Sequence, residues 1–160
     1  MNGMIVHDSG GITLLGGGKV RLAELRDALK HAPVLVAADG GAIFALEHGY
    51  SPRAVIGDMD SIPADMRSKI PDKRFHAIQD QDSTDFDKAL RNVEAPLVLG
   101  VGFLGRRVDH QLANFNVLAR RHNRRCILVG KREIVFAAPA ELSLDLAPGS
   151  RVSVSYTHLR

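Results

Sequence analysis

Only one cysteine, no tryptophan and few aromatic residues, 5% in all, occur in this 160-residue chain. Cys126 has no second cysteine for a disulfide or a zinc site, so a disulfide-stapled scaffold is excluded and a reducing compartment is expected. Its role is to fill core space. No apolar run approaches the ~20 residues that a membrane-spanning helix needs. Met1 to Gly18 lacks the basic start of a secretory signal. The expectation is a cytoplasmic protein with no membrane partner. Internal repeats and low-complexity segments are also missing. What remains is ordinary globular usage, with 45% hydrophobic and 24% charged residues. A chain this long buries roughly 68 to 70% of its unfolded surface, enough for an aliphatic core without staples.

Charge is divided along the chain. From Asp58 to Asp87 eight acids face four bases, whereas from Arg106 to Arg132 eight bases face the single acid Asp109. Local fields of this kind attract ligands more than the net charge of +3 does. The basic stretch has no aromatic residue interleaved beyond Phe115, so it lacks the stacking surfaces of single-strand binders and nucleic acid is not an expected partner. Arg120, Arg121, Arg124 and Arg125 read as a solvated helix C-terminus, where cations meet the negative end of the dipole.

Short apolar runs alternate with longer amphipathic segments. Strands are predicted near Ile12 to Leu15, Val34 to Ala38, Ala54 to Ile56, Phe75 to Ile78, Leu97 to Leu99 and Cys126 to Val129. Helices are predicted near Val20 to Lys30, Ala42 to His48, Pro63 to Lys69, Asp85 to Asn92 and Gln111 to Arg121. This alternation predicts an α/β fold, a doubly wound, mostly parallel sheet. After Lys131 the pattern changes, and Ile134 to Ala137, Leu142 to Leu146 and Val152 to Tyr156 read as short strands of a small all-β unit.

Ligands of such sheets lie outside the carboxyl ends of the strands, so the residues after each strand are the candidates for chemistry. Asp39-Gly40-Gly41 follows the second strand, where backbone N–H groups can approach phosphate. Asp58 and Asp60 follow the third; two residues apart on extended chain, they point to the same side. Two acids aimed together repel unless a cation lies between them, and Mg²⁺ suits a few carboxylates with waters and substrate phosphates. Helix capping by Asp60 or Ser61 explains one acid and leaves the other. Four acids in eight positions follow the fourth strand, in Asp80-Gln81-Asp82-Ser83-Thr84-Asp85-Phe86-Asp87-Lys88. Capping pairs, Thr84 with Asp87 or Asp82 with Asp85, use some of them. Asp85 and Lys88, three apart, share a helix face and can project a metal ligand and a phosphate contact together.

After the fifth strand, Gly100 to Gly105 matches G-x-G-x-x-G, but no helix opens at its last glycine and the region ~20 residues on is arginine-rich. It reads instead as a phosphate loop completed by Arg107, with Asp109 and His110 at the next helix start. Gly16-Gly17-Gly18-Lys19 fails as a P-loop, because Val20 replaces the required Ser or Thr.

Together, GDMDSI at Gly57 to Ile62, DQDSTDFDKAL at Asp80 to Leu90 and GRRVDHQLAN at Gly105 to Asn114 resemble the thiamine pyrophosphokinase family. The resemblance runs from about Asp39 to Val129. It implies a Rossmann-like catalytic domain at residues 1–131 followed by the incomplete start of a small β domain at 132–160, a homodimer, and transfer of the diphosphate of ATP to the hydroxyethyl group of thiamine. It implies that Asp58, Asp60 and Asp85 hold Mg²⁺ and the ATP phosphates and that Gln81 faces thiamine. Asp39, Gly40, Gly41, Asp82, Thr84, Lys88, Arg107, Asp109 and His110 then complete the nucleotide and phosphate pocket. Asp58, Asp60, Asp85 and Arg107 are the expected catalytic groups, the proton falling to Asp85 or Asp60. The sequence departs from the family at Ile43, where a polar residue is common, and Ser155 to Arg160 does not resemble the family's continuation. The competing expectations are a pyrophosphokinase of another heterocyclic alcohol such as a pterin, a dinucleotide-binding module built on Gly100 to Gly105, and a nucleotide sensor without turnover.

Overall fold

Four-residue apolar runs bounded by glycine or polar residues are too short to be helices and become the interior of a parallel sheet, which is covered on both faces. The computed structural model describes residues 3–105 and 107–155. Arg106 and the segment 156–160, with the expected strand end at Tyr156, lie outside the described residues.

The elements run β1 (Val6–His7), β2 (Ile12–Leu15), α1 (Leu22–His31), β3 (Val34–Ala38), α2 (Gly41–Glu47), β4 (Ala54–Gly57), α3 (Ala64–Arg67), β5 (Phe75–Ala77), α4 (Asp85–Arg91), β6 (Val93–Glu94), β7 (Val98–Val101), α5 (Val108–Arg120), β8 (Cys126–Val129) and β9 (Ile134–Phe136). A seven-stranded sheet has the order β5-β4-β3-β2-β7-β8-β9. Every pairing in it is parallel except β8 with β9, where Val129 stands opposite Ile134. The two short strands β1 and β6, which the periodicity does not mark, form a separate parallel pair.

The period-2 alternation of the strands sends their side chains to two faces. Leu14, Val36, Ile56 and Leu128 pack beneath Phe86, Ala89 and Leu90 of α4 and Val117 and Leu118 of α5. Their neighbours Leu15, Leu35, Leu99 and Val101 face Leu25 and Ala28 of α1. Thr13, the polar residue inside β2, is fully buried and donates its hydroxyl to the Ala32 carbonyl at 2.6 Å. Cys126 lies inside the core, as its composition-based role requires.

The chain works outward from β2 through β3 and β4 to β5, then returns by α4 to lay β7 on the other side of β2. Loops after β2 and β7 therefore leave the sheet side by side where the strand order reverses. This is where an open α/β sheet makes its ligand crevice.

Beyond Lys131 the first expected strand is present, and the two that follow need correcting. Ile134–Phe136 is a strand, but it extends the main sheet through a tight turn in which the Gly130 N–H donates to Glu133 O at 2.9 Å. Residues 142–146 and 152–155 form no strand, and Leu142, Leu144, Leu146, Val152 and Val154 are exposed. An alternating apolar pattern becomes a strand only when another strand supplies hydrogen bonds and a cover for the apolar face. No described strand pairs with this segment.

Candidate functional site

A cleft of about 720 Å³ opens over the carboxyl ends of β2, β3, β4, β5 and β7. Each wall is the residue pattern that follows one strand. Gly16 to Gly18 come from the loop after β2, Asp39 and Gly40 from that after β3, and Asp58 and Ser61 from that after β4. Gln81, Ser83, Thr84, Asp85 and Lys88 come from the segment after β5, and Gly102, Gly105, Arg107 and His110 from that after β7.

The centre is a buried ammonium among carboxylates. Lys88 is 3% exposed, and its Nζ lies 3.6 Å from Asp58 Oδ2 and 3.8 Å from Asp85 Oδ1. These separations are ion-pair contacts too long for good hydrogen bonds, so both carboxylates retain capacity for another cation or a donor. Burial raises the Asp85 carboxyl above its ordinary value, and the charges of Asp39 and Asp58 add to the effect against Lys88 and His110.

Local sequence explains how this centre is held. Thr84 caps α4 by accepting the Asp87 N–H at 3.2 Å, which sets Asp85 and Lys88 on the helix face that meets the cleft. Asp80 closes the loop before the helix, accepting from Ser83 Oγ at 2.7 Å, the Asp82 N–H at 2.9 Å and Arg91 Nη2 at 2.9 Å. Those donors hold its carboxyl at about 2, well below the usual range. The capped turn is itself anchored, because Asp87 is buried and receives both Arg121 and Arg91. Arg121 is thus half-buried and paired, where a solvated helix end was expected.

Across the cleft, the β7 loop is clamped by α5. Gln111 Oε1 accepts the Gly105 N–H at 3.0 Å, and Asn114, buried, donates Nδ2 to Phe103 O at 2.8 Å. Gly102 adopts φ +83°, and a Cβ there would come within 2.7 Å of Gly16 O, so the two glycine loops touch backbone to backbone. α5 opens at Val108, three residues after Gly105, which removes the dinucleotide fingerprint as expected. Arg107 reaches the rim of the cleft, exposed, with its Nε 3.1 Å from Asp109 Oδ1. That pairing raises the guanidinium and lowers the carboxyl of Asp109 relative to their ordinary values.

The cleft therefore gathers Asp39, Gly40, Asp58, Gln81, Thr84, Asp85, Lys88, Arg107 and His110 from the residues nominated by sequence. Gly41, Asp60, Asp82 and Asp109 lie beside it without lining it. Gly41 is a packing glycine, since a Cβ would fall 1.9 Å from Leu15 O. Asp60 is exposed on the same loop as Asp58, its N–H donating to Asp58 Oδ1 at 3.3 Å. Among the described residues no group of three acidic, imidazole or thiol side chains is gathered as a metal cage. Gly16 to Gly18, Ser61 and Asn114 were not nominated; the first was visible in principle, because a glycine run after the first strand of a reversing sheet lies at the crevice whether or not it fits a P-loop.

Comparison with known proteins finds relatives of one kind. The family model described as "Thiamin pyrophosphokinase, catalytic domain" matches residues 25–129. Thiamine pyrophosphokinase 1 of Arabidopsis thaliana is 31% identical over 127 residues, covering 62% of this chain and 48% of that protein. Thiamine pyrophosphokinase 3 of Oryza sativa subsp. japonica is 30% identical over 135 residues, covering 68% of this chain and 51% of that protein. The chain spans about half the length of these curated relatives. Among solved structures, thiamin pyrophosphokinase from Geobacillus thermodenitrificans superposes with TM-score 0.60 at 26% identity, over 74% of this chain and 58% of that one. The enzyme from Candida albicans shares the fold with TM-score 0.64 at 16% identity, over 82% of this chain and 63% of that one.

Proposed function

The chain belongs to the thiamin pyrophosphokinase family, and from that membership we propose that it transfers the diphosphate of ATP to the hydroxyethyl oxygen of thiamine, giving thiamine diphosphate and AMP. The observation that carries this reading is the placement of Asp58, Asp85 and Lys88 together at the crevice, with Arg107 on the facing rim.

The reaction is a displacement at the β-phosphorus. The thiamine hydroxyl attacks, the bond to the α-phosphate oxygen breaks, and AMP leaves. Such a transfer needs positioning and charge neutralisation more than covalent chemistry. Lys88, desolvated and loosely paired, offers an ammonium to phosphate oxygens. Arg107 can exchange its exposed Asp109 partner for phosphate, because a guanidinium fork suits either anion. Asp85 takes the hydroxyl proton, a role that its raised carboxyl favours. Asp60, the alternative base, lies outside the cleft lining, which favours Asp85. Gln81 lines the cleft at the position expected to face thiamine.

Mg²⁺ fits this donor set. Hard carboxylate oxygens from Asp58 and Asp85, with room for substrate phosphates, match a cation that needs only one or two protein carboxylates. When bound, the ion supplies charge neutralisation at the transferred phosphoryl groups. The same proposal includes a cytoplasmic location, consistent with one buried thiol, and a homodimer. It also divides the chain into a catalytic unit at 1–131 and a β unit beginning at 132, a boundary supported by the lack of any helix after α5 among the described residues and opposed by the pairing of β9 with β8 of the main sheet.

Chromatography of AMP, ADP and thiamine diphosphate tests the proposal, after incubation with ATP and Mg²⁺ with and without thiamine. Equal, thiamine-dependent AMP and thiamine diphosphate are expected. Thiamine-dependent ADP in their place means γ-phosphoryl transfer and overturns it.

A further inference from the structure

Two non-glycine residues among those described have left-handed backbone, and they are bonded to each other. Asp39 has φ 41° and Met59 φ 69°, and Asp39 Oδ1 accepts the Met59 N–H at 3.1 Å. Aspartate tolerates this region; methionine rarely enters it. Met59 is held there from two sides. Met59, 6% exposed, is packed with Ala37, Val55, Ile62 and Ile70, while its amide is tied to the carboxylate of Asp39, a residue 4% exposed. The support is rigid: the Asp39 N–H donates to Ile56 O at 2.9 Å, and a Cβ on Gly57 would fall 2.8 Å from Asp39 Cβ.

With Met59 turned inward, Asp58 is delivered to Lys88 in the cleft. An ordinary negative φ at Met59 would re-aim that neighbour. We propose that Asp39 is a positioning residue: through the Met59 amide it fixes the loop that presents Asp58 to the cation and phosphates of the substrate. This rests on the reading given under Proposed function and assigns Asp39 a role different from direct contact with the nucleotide.

The test separates the acceptor atom from the charge. Asp39→Asn keeps an oxygen that accepts the Met59 N–H, whereas Asp39→Ala removes it. Affinity for Mn²⁺ with ATP is read by electron paramagnetic resonance, and the Met59 amide is followed by NMR hydrogen exchange, with a thermal melt as the control for folding. Asp39→Ala is expected to lose ~10- to 100-fold in Mn²⁺ affinity and its Met59 amide protection, as losses of supporting partners at metal sites do. Asp39→Asn is expected to keep the protection and to lose several-fold less affinity. Adding Met59→Gly to Asp39→Ala should restore part of the affinity, because glycine accepts the left-handed φ unaided.

Equal losses in the Asn and Ala variants, with the Met59 amide protected in both, overturn the proposal and make Asp39 a charge acting on the cation directly. A parent chain that binds no Mn²⁺ with ATP instead removes the functional reading. In that case unequal Met59 protection in the two variants still supports the strut and equal protection still refutes it.

Discussion

Lys88 Nζ lies 3.6 Å from Asp58 Oδ2 although the lysine side chain is only 4% exposed. A buried ammonium is retained when the charges around it need it, and here Asp58 and Asp85 provide that need. If Lys88 also meets the phosphates, Lys88→Met should lower kcat/KM at least about 100-fold, in line with the loss of a preorganised electrostatic donor. Initial rates of thiamine-dependent AMP release at varied ATP measure this. A loss confined to stability, with kcat/KM intact, would make Lys88 a structural counter-ion.

The Asp85 carboxyl is raised by burial and by two neighbouring acids. A carboxyl whose folded value lies above its unfolded one destabilises the fold where it is ionised, and the penalty disappears below both values, where it is neutral in each state. Asp85→Asn should therefore raise Tm at pH 7, the gain vanishing as the pH is brought well below 4, and should abolish diphosphate transfer. Opposite signs for stability and activity in one variant are the mark of a strained functional group. A lower Tm at pH 7 would mean that the Lys88 contact outweighs the burial.

Much of this arrangement was legible because parallel strands write themselves plainly. Val34 to Ala38 and Cys126 to Val129 are apolar throughout and come out as strands to the residue. The motifs after the strands, Asp58 with its loop and Asp85 with Lys88, could be placed on one edge from topology alone. What was hidden depends on contacts remote in sequence. Val6 and His7 become a strand only because Val93 and Glu94 lie alongside, and Arg121 is paired because Asp87, 34 residues away, is buried beneath it. Asp39 belongs with these, since nothing in Asp-Gly-Gly announces that its carboxylate will hold the amide of Met59.

Cys126 gives a probe of the core. Burial pushes its thiol up to about 12, and it lies among the apolar side chains under α4 and α5. At pH 8 the native thiol should react with iodoacetamide orders of magnitude more slowly than a free cysteine, and at the full rate in denaturant. Mass spectrometry of timed quenches follows this. Fast labelling of the folded chain would show that the α5 side opens readily.

Asp80 ties the loop before α4 to Arg91, Ser83 and the Asp82 amide, and its carboxyl stands at about 2. A depressed carboxyl stabilises the fold above the unfolded value of ~3.9, and this contribution is lost as the pH falls toward the folded value. Asp80→Ala should therefore be less stable than the parent at pH 6, with the difference closing between about pH 4 and about 2. Urea midpoints of both chains across this range decide it. A difference independent of pH would assign the effect to packing.

Asp87 is buried to within 4% of its side-chain surface, and Arg121 meets it through both Nε and Nη2, the latter 3.1 Å from Oδ2. Removing one member of such a pair leaves an uncompensated charge in the interior, usually at a cost of 3–5 kcal/mol. Arg91 Nη1 remains 3.5 Å from the same carboxylate and can take up part of the charge, so Arg121→Ala should cost about 3 kcal/mol, the lower end of that range. Replacing the pair together, Asp87→Leu with Arg121→Met, removes the stranded charge and should recover most of the loss. Because the Asp87 N–H closes the Thr84 cap of α4 and Asp87 precedes Lys88, the single variant should also raise KM for ATP while the double variant restores it. Denaturant midpoints and ATP titrations on the three chains measure both effects. A double variant as unstable as Arg121→Ala would show that the ion pair itself, more than the penalty of breaking it, holds α4 against α5.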